Sequence, residues 1–256
     1  MKPRLINQED IDIEAFSYLV LDQETFSPIL KKNANQRLYV GSLTKLMTAV
    51  VALENGSLDD VVNIDFDLKS TPSYKMGLLK GEKITLENLL YGLLISSSND
   101  AAEVVAVNVG GGYLNFINMM NNKAKEIGMN NTHFSNAMGI DNEENYSTAQ
   151  DLAYLANYAL GNDFVDRVIK IKEKEVRSLD GETTHYLENT NKLLFENDLN
   201  ILGMKTGKTP QAGECLISLA ENSNGNRILV IVLGSRLRFE DSKKLILWTW
   251  NNIVWE

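Results

Sequence analysis

The sequence predicts an α/β fold of the α+β kind, in which the first and last parts of the chain share one sheet and a block of helices lies between them. Three observations lead there. AFSYLVLD (15–22) reads as a strand near the start of the chain. From about residue 84 to 160 the apolar residues recur with a helical period. After about residue 170 strand-like runs return, and one last helix closes the chain. With 256 residues, 44% of them hydrophobic, the chain is long enough for one sizeable core, or for one domain with a subdomain.

In chain order, the first 14 residues, MKPRLINQEDIDIE, hold no apolar core and read as an N-terminal extension. The strand at 15–22 is followed by a turn at Gln23–Thr25 and a short strand over Phe26–Leu30. A helix opens near Ser42. After Lys45 it meets no further charge until Glu54, and Leu43, Leu46, Met47, Val50 and Leu53 cover most of its circumference. A helix apolar nearly all round is buried. VVNIDFD (61–67) is extended, and ITLENLLYGLLISS (84–97) is a helix. SSSND (96–100) opens the helix AAEVVAVNV, which the glycines at 110–112 break before YLNFINMMNNKAKEIG. No strand precedes those glycines, so they cap helices and do not cradle phosphate. STAQDLAYLANYAL (147–160) is a helix with Ser147 or Thr148 at its N-cap. IKIKEKEV (169–176), AGECLISLAE (212–221) and RILVIVLGS (227–235) are strands, the last continuous enough to be buried on both faces. SNGN (223–226) turns between the last two, and EDSKKLILWTWNNIVW (240–255) is the closing helix.

Composition excludes several functions. The net charge is −9, and no Lys/Arg stripe exists to follow a phosphate backbone, so nucleic acid is not the partner. KEKEVR (172–177) mixes signs and reads as a solvated face. The single cysteine, Cys215, forbids an internal disulfide and lies in the apolar run CLISLA as a small core residue. His133 and His185 are far apart, so a His-rich metal site is not available. No metal or other cofactor is expected, and hydrolytic chemistry has to work without a catalytic imidazole. No apolar stretch reaches the roughly 18 residues of a membrane span.

Three short motifs carry chemistry. Ser42 and Lys45 stand three apart on one helix, so both can face the same space. The serine falls at a helix start, where backbone N–H groups are free to stabilise an anion. The lysine falls on the buried side, and a desolvated lysine can be neutral and take a proton from a hydroxyl. The plainer alternative is a serine N-cap beside a lysine whose head snorkels out. Ser97-Ser98-Asn99 has its own plain alternative, helix capping. Lys205-Thr206-Gly207 lies just before a strand, where glycine allows close approach of a ligand backbone; alone it also reads as a polar edge strand.

Together, in the order Ser-x-x-Lys, Ser-x-Asn, Lys-Thr-Gly, these motifs resemble the set of the penicillin-recognising serine enzymes, the penicillin-binding proteins and serine β-lactamases. SYLVLDQETFSPILKKNANQRLYVGSLTKLMTA, SSSNDAA, NTHFSNAMGID, GMKTGKTPQAGECL and GSRLRFEDSKKLI narrow the resemblance to the low-molecular-mass D-alanyl-D-alanine carboxypeptidases, peptidase family S11. The likeness runs from about residue 15 to the last helix.

The resemblance implies an antiparallel sheet flanked by helices, one catalytic domain over 15–256, and an inserted helical subdomain at roughly 68–165. It implies Ser42 as acylated nucleophile, Lys45 as its base and Ser97 as proton relay to the leaving group. Asn99 holds the substrate amide. Lys205 keeps the site positive and depresses the pKa of Lys45, while Thr206 and Arg238 bind a terminal carboxylate. Gly207 belongs to the third motif, and the N–H groups of Ser42 and Lys208 form the oxyanion hole. The implied substrates are peptidoglycan stem peptides, with β-lactams as inhibitors, in an extracytoplasmic setting reached by export.

The sequence departs from the family at Val40-Gly41, where proline and alanine are usual, and at Met138, where many relatives carry histidine. The chain is not expected to carry the β-rich domain or the membrane-anchoring helix that relatives often add after this region. A serine β-lactamase, a DD-endopeptidase and a non-catalytic wall-binding homologue are the alternatives. Class A β-lactamases need an added glutamate, and Glu188 sits in LENTNKLL, which matches the carboxypeptidase pattern better.

Overall fold

In a computed structural model, all of residues 1–256 are described except Gln8, Ser73 and Asn197. The chain begins with β1 (Pro3–Leu5), β2 (Ser17–Asp22), β3 (Pro28–Lys32) and α1 (Thr44–Asn55). The middle holds β4 (Val61–Asn63), β5 (Lys83–Thr85), α2 (Leu86–Leu94), α3 (Asn99–Val109), α4 (Tyr113–Glu126), α5 (Ala149–Leu160) and α6 (Asp163–Val168). It ends with β6 (Glu173–Arg177), β7 (Thr184–Glu188), β8 (Ile201–Thr209), β9 (Gly213–Glu221), β10 (Arg227–Ser235), α7 (Arg238–Asn252) and β11 (Ile253–Trp255).

The main sheet has the order β3-β2-β10-β9-β8, and every neighbouring pair is antiparallel. The early strand therefore joins the late ones, as the sequence predicts. Strand alternation sorts the sheet's side chains between two cores. Leu19, Leu21, Leu229, Ile231 and Leu233 join the large core built with α1 to α6. Val20, Ile228, Val230 and Val232 turn to the other face, where Leu245 and Ile246 of α7 cover them. β10 is paired on both edges and covered on both faces, which is why its apolar run is nearly continuous.

Local signals place the helix ends around the site. Thr85 caps α2 by accepting from the Asn88 N–H at 3.2 Å, and Thr148 caps α5 by accepting from Asp151 at 3.0 Å. Gly110 ends α3 and Gly112 begins α4, so the triple glycine is a double cap.

Several elements differ from the sequence expectation. The expected helix 84–97 is shorter: 83–85 pairs with β4, and the helix stops at Leu94, releasing 95–98 as a loop. The expected strand 169–176 begins only at Glu173, because Ile169 is buried in the large core at the end of α6. The last turn of the expected closing helix is β11, whose Ile253 and Val254 pair with Leu5 and Arg4 of β1. β7, which folds back on β6, and α6 carry too little periodicity to be read from sequence. The second strand is shifted to Pro28–Lys32.

Candidate active site

Ser42 lies in a 3-10 turn, Gly41–Leu43, that runs directly into α1. This turn docks on β8 because Gly207 has no side chain: a Cβ there would stand 2.6 Å from the Val40 carbonyl oxygen. The third motif and the first are thus brought together by one missing methyl group.

Lys45, one turn along, is fully buried. Its Nζ lies 2.8 Å from Ser42 Oγ, 2.7 Å from Asn99 Oδ1 and 2.6 Å from the Met138 carbonyl oxygen. None of these partners is charged. Two of them can only accept, and they match the two N–H bonds of a neutral amine; the remaining lone pair then faces the Ser42 hydroxyl. Burial lowers the Lys45 pKa well below its ordinary value, and the charge of Lys205 lowers it further, against a smaller opposing pull from Asp100.

Ser97 sits in the loop between α2 and α3 with φ +59°, a left-handed conformation that costs a serine about 1–3 kcal/mol. Its Oγ accepts from Lys205 Nζ at 2.8 Å. Lys205, on β8, is buried and also donates to the Thr206 carbonyl at 3.0 Å. Burial, with the nearby Arg238 charge, pushes its pKa down to about 7. Lys205 therefore carries its charge below about pH 7 and sheds it as the pH rises.

Arg238 opens α7 and donates from Nη1 to the Gly207 carbonyl at 2.7 Å. Its Nε has no hydrogen-bond partner among the described residues and stands 3.9 Å from a Glu214 carboxylate oxygen. Thr206 shares a 2.6 Å hydrogen bond with Thr190. The Lys208 side chain leaves the site for Glu214, 2.8 Å away, so only its backbone serves the cleft.

The cleft has two lobes that meet at Ser42, Tyr74 and Lys208. The smaller, about 70 Å³, is bounded by Ser97, Thr190, Thr206 and Arg238. The larger, about 230 Å³, is bounded by Asn99, Met138, Ile140 and Asp141. Ser42, Ser97, Asn99, Thr206, Gly207, Lys208 and Arg238 each bound one lobe or both, and Lys45 and Lys205 lie buried behind them, hydrogen-bonded to Ser42 and Ser97. Sequence reasoning passed over Tyr74, Thr190, Asp100 and Asp141. Asp100 adjoins Asn99 and was open to notice; Tyr74 lies in an aperiodic loop with no local signal. Cys215 is buried, and burial pushes its thiol pKa up to about 11, so it is inert. Among the described residues no cluster of His, Cys, Asp and Glu is arranged to hold a metal, and no helix is long and apolar enough to cross a membrane.

This sheet, with its helical block and the three motifs around one cleft, is the architecture of the penicillin-recognising serine enzymes. The chain belongs to the D-alanyl-D-alanine carboxypeptidase family, peptidase S11, whose sequence model matches residues 4–236. It is similar to D-alanyl-D-alanine carboxypeptidase DacC of Escherichia coli, 33% identical over 252 residues, covering 92% of this chain and 61% of that one. It is also similar to DacF of Bacillus subtilis, 33% identical, covering 85% of this chain and 57% of DacF. The chain thus spans about 60% of the length of these relatives. The crystal structure of the Streptomyces K15 DD-transpeptidase matches with a TM-score of 0.88 at 31% identity, covering 95% of this chain and all of that one.

Proposed function

We propose that this chain is a serine DD-carboxypeptidase that removes the terminal D-Ala from peptidoglycan stem peptides through an acyl-enzyme. Residues 15–256 are its catalytic unit, with the helices between about 68 and 165 as a subdomain. The observation that carries the reading is the amine of Lys45, buried, 2.8 Å from a serine hydroxyl and otherwise hydrogen-bonded to the neutral oxygens of Asn99 and Met138.

The Ser42 proton passes to Lys45 Nζ as Oγ bonds to the carbonyl carbon of the penultimate D-Ala. The resulting oxyanion is held by the N–H groups of Ser42 and Lys208. The C–N bond then breaks, and the departing amine takes the proton of the Ser97 hydroxyl, which Lys205 holds in place; the proton that Lys45 took from Ser42 makes this loss good, so Lys45 is a free amine again. Lys45 next takes a proton from water as its oxygen attacks the ester carbonyl carbon, and returns that proton to Ser42 Oγ as the ester bond breaks. Thr206, Lys205 and the Arg238 guanidinium attract the free carboxylate of the substrate in the small lobe. Asn99 orients the amide of the acyl part beside Lys45.

Benzylpenicillin enters the same path and stays as an ester. Intact mass after incubation with it is expected to show one adduct on the parent protein and none on Ser42→Ala. A parent without adduct, and without D-Ala release from an acyl-D-Ala-D-Ala peptide, points instead to a wall-binding homologue. The β-lactamase reading lacks support in the cleft. No glutamate bounds either lobe among the described residues, and Glu188 sits exposed on β7. The site of action follows the substrate and lies outside the cytoplasm.

Arg238→Ala is expected to lower kcat/KM for carboxylate-ended peptides about 10- to 100-fold, the loss of one charge-assisted hydrogen bond. A peptide amide, lacking that carboxylate, should show little change. Steady-state kinetics on the two peptides makes the comparison, and equal losses on both remove Arg238 from the carboxylate pocket.

A further inference from the structure

Tyr74 borders both lobes of the cleft and is 66% exposed, on a backbone with φ +68°. The loop that carries it, residues 74–82, is fastened at three places. The Tyr74 carbonyl accepts from the Asn99 N–H at 2.6 Å. The N–H groups of Met76, Gly77 and Leu78 converge on the buried Asp100 carboxylate at 3.0, 2.9 and 3.1 Å. From the other side, His185 of β7 meets the Met76 carbonyl oxygen with Nδ1 at 3.0 Å and Glu82 Oε1 with Nε2 at 2.7 Å. Both side chains of this last pair are 2% exposed. The other Glu82 oxygen accepts from the Leu79 N–H at 3.0 Å.

A carbonyl has no proton to give, so Nδ1 must donate. Nε2 faces a carboxyl oxygen. A neutral imidazole supplies only one N–H, so holding both contacts requires a second proton shared by His185 and Glu82. Removing that proton sets two lone pairs against each other 2.7 Å apart, in a place closed to water. The charged groups facing the ring are Glu82, from the loop, and Asp100, from α3. Across the hairpin its partner is Val176, while Glu175 and Arg177 on either side pair with each other. Burial pulls the pKa of the ring down, but the hydrogen bond and charge of Glu82, with the Met76 carbonyl and Asp100, outweigh it and leave it above 6.5. The sign follows: a raised native pKa makes the contact complete below about pH 6.5 and lost as the pH climbs through the native value.

We propose that His185 is a positioning residue for the substrate cleft: protonated together with Glu82, it clamps the 74–82 loop so that Tyr74 stands as the wall between the two lobes. The part of the test that uses a peptide substrate rests on the carboxypeptidase reading; the clamp itself does not.

Hydrogen exchange of the 74–82 loop, followed from about pH 5.5 to 8.5, tests it in the parent, His185→Gln and Glu82→Gln. After correction for intrinsic rates, exchange in the parent is expected to rise about tenfold across the His185 titration. Both variants should show the fast rate at every pH, with α1 and β8 as protected as in the parent. By NMR, Glu82→Gln should lower the His185 midpoint by about one unit or more. On an acyl-D-Ala-D-Ala peptide at about pH 6, His185→Gln should raise KM roughly three- to tenfold with kcat nearly unchanged, and the difference should vanish near pH 8.5. Lys205 titrates in the same range, so the difference between parent and variant is the readout. Loop exchange that does not change with pH in the parent, or that matches the parent in folded variants, overturns the clamp. If both variants unfold, the parent's own exchange profile decides. A parent that neither binds penicillin nor releases D-Ala defeats the carboxypeptidase reading and leaves the exchange result standing.

Discussion

Lys45→Ala is expected to slow acylation of Ser42 by about 10²- to 10⁴-fold, the range over which a positioned base contributes to proton transfer. The lysine is the one basic group the described structure places against the serine hydroxyl, at 2.8 Å. Burial and the nearby charge of Lys205 hold its pKa well below the usual 10.5, which favours the free amine that the reaction needs. Truncation takes one donor away from the Asn99 and Met138 oxygens, at a cost of about 1–3 kcal/mol, but it also removes a buried ionisable group, so the chain should still fold. Lys45→Arg should not rescue, since a guanidinium stays protonated. The acylation rate with a fluorescent penicillin, beside a thermal melt, provides the measurement. An alanine variant that is folded and acylates within tenfold of the parent disproves the lysine's role as base.

Gly139→Ala should unfold the site from behind. Gly139 has φ +81°, and a Cβ there would fall 2.0 Å from the Gly41 carbonyl oxygen and 3.0 Å from the Ser42 nitrogen. The obstacle is the backbone that carries the nucleophile, so a flexible side chain cannot step aside. Strain and forced displacement together should destabilise the fold by about 2–4 kcal/mol and lower Tm by roughly 5–15 °C. Acylation should fall at least about 100-fold, since displacing Ser42 by a fraction of an ångström spoils its alignment. Gly181→Ala is the control: it has φ +75° but nothing within 4 Å of the added Cβ, so it carries the local strain alone, about 1 kcal/mol. Thermal melts and acylation rates of the two variants decide the matter. If Gly139→Ala melts and reacts like Gly181→Ala, the close approach to Gly41 is not what shapes the nucleophile turn.

The legible parts of this protein are those written in neighbouring residues. α1 announces itself through an apolar run with a single lysine, β10 through its continuous Ile, Leu and Val, and α5 through its cap at Thr148. The catalytic candidates were legible because their order is a pattern, although each triplet alone has an ordinary structural explanation. The short hairpins β4–β5 and β6–β7 and the pairing of β1 with β11 were not. Three to five residues carry no period, and their partners stand 7 to 252 positions away. Ile169 and Ile171 alternate like a strand face yet pack at the end of a helix, because the large core was there to receive them.

The sequence alone determined which chemical groups are present and that Ser42 and Lys45, three apart at a helix start, can face the same space; the structure puts Ser42 in the 3-10 turn and Lys45 in the first turn of α1, and this spacing still brings them together. Tertiary structure decided what those groups can do. The proton affinity of Lys45 depends on being shut away from water with Lys205 beside it, 160 residues distant, and the place of Tyr74 depends on Asp100 and His185. Electrostatic energies follow distance in space and the solvent left between charges, and neither quantity is encoded in spacing along the chain.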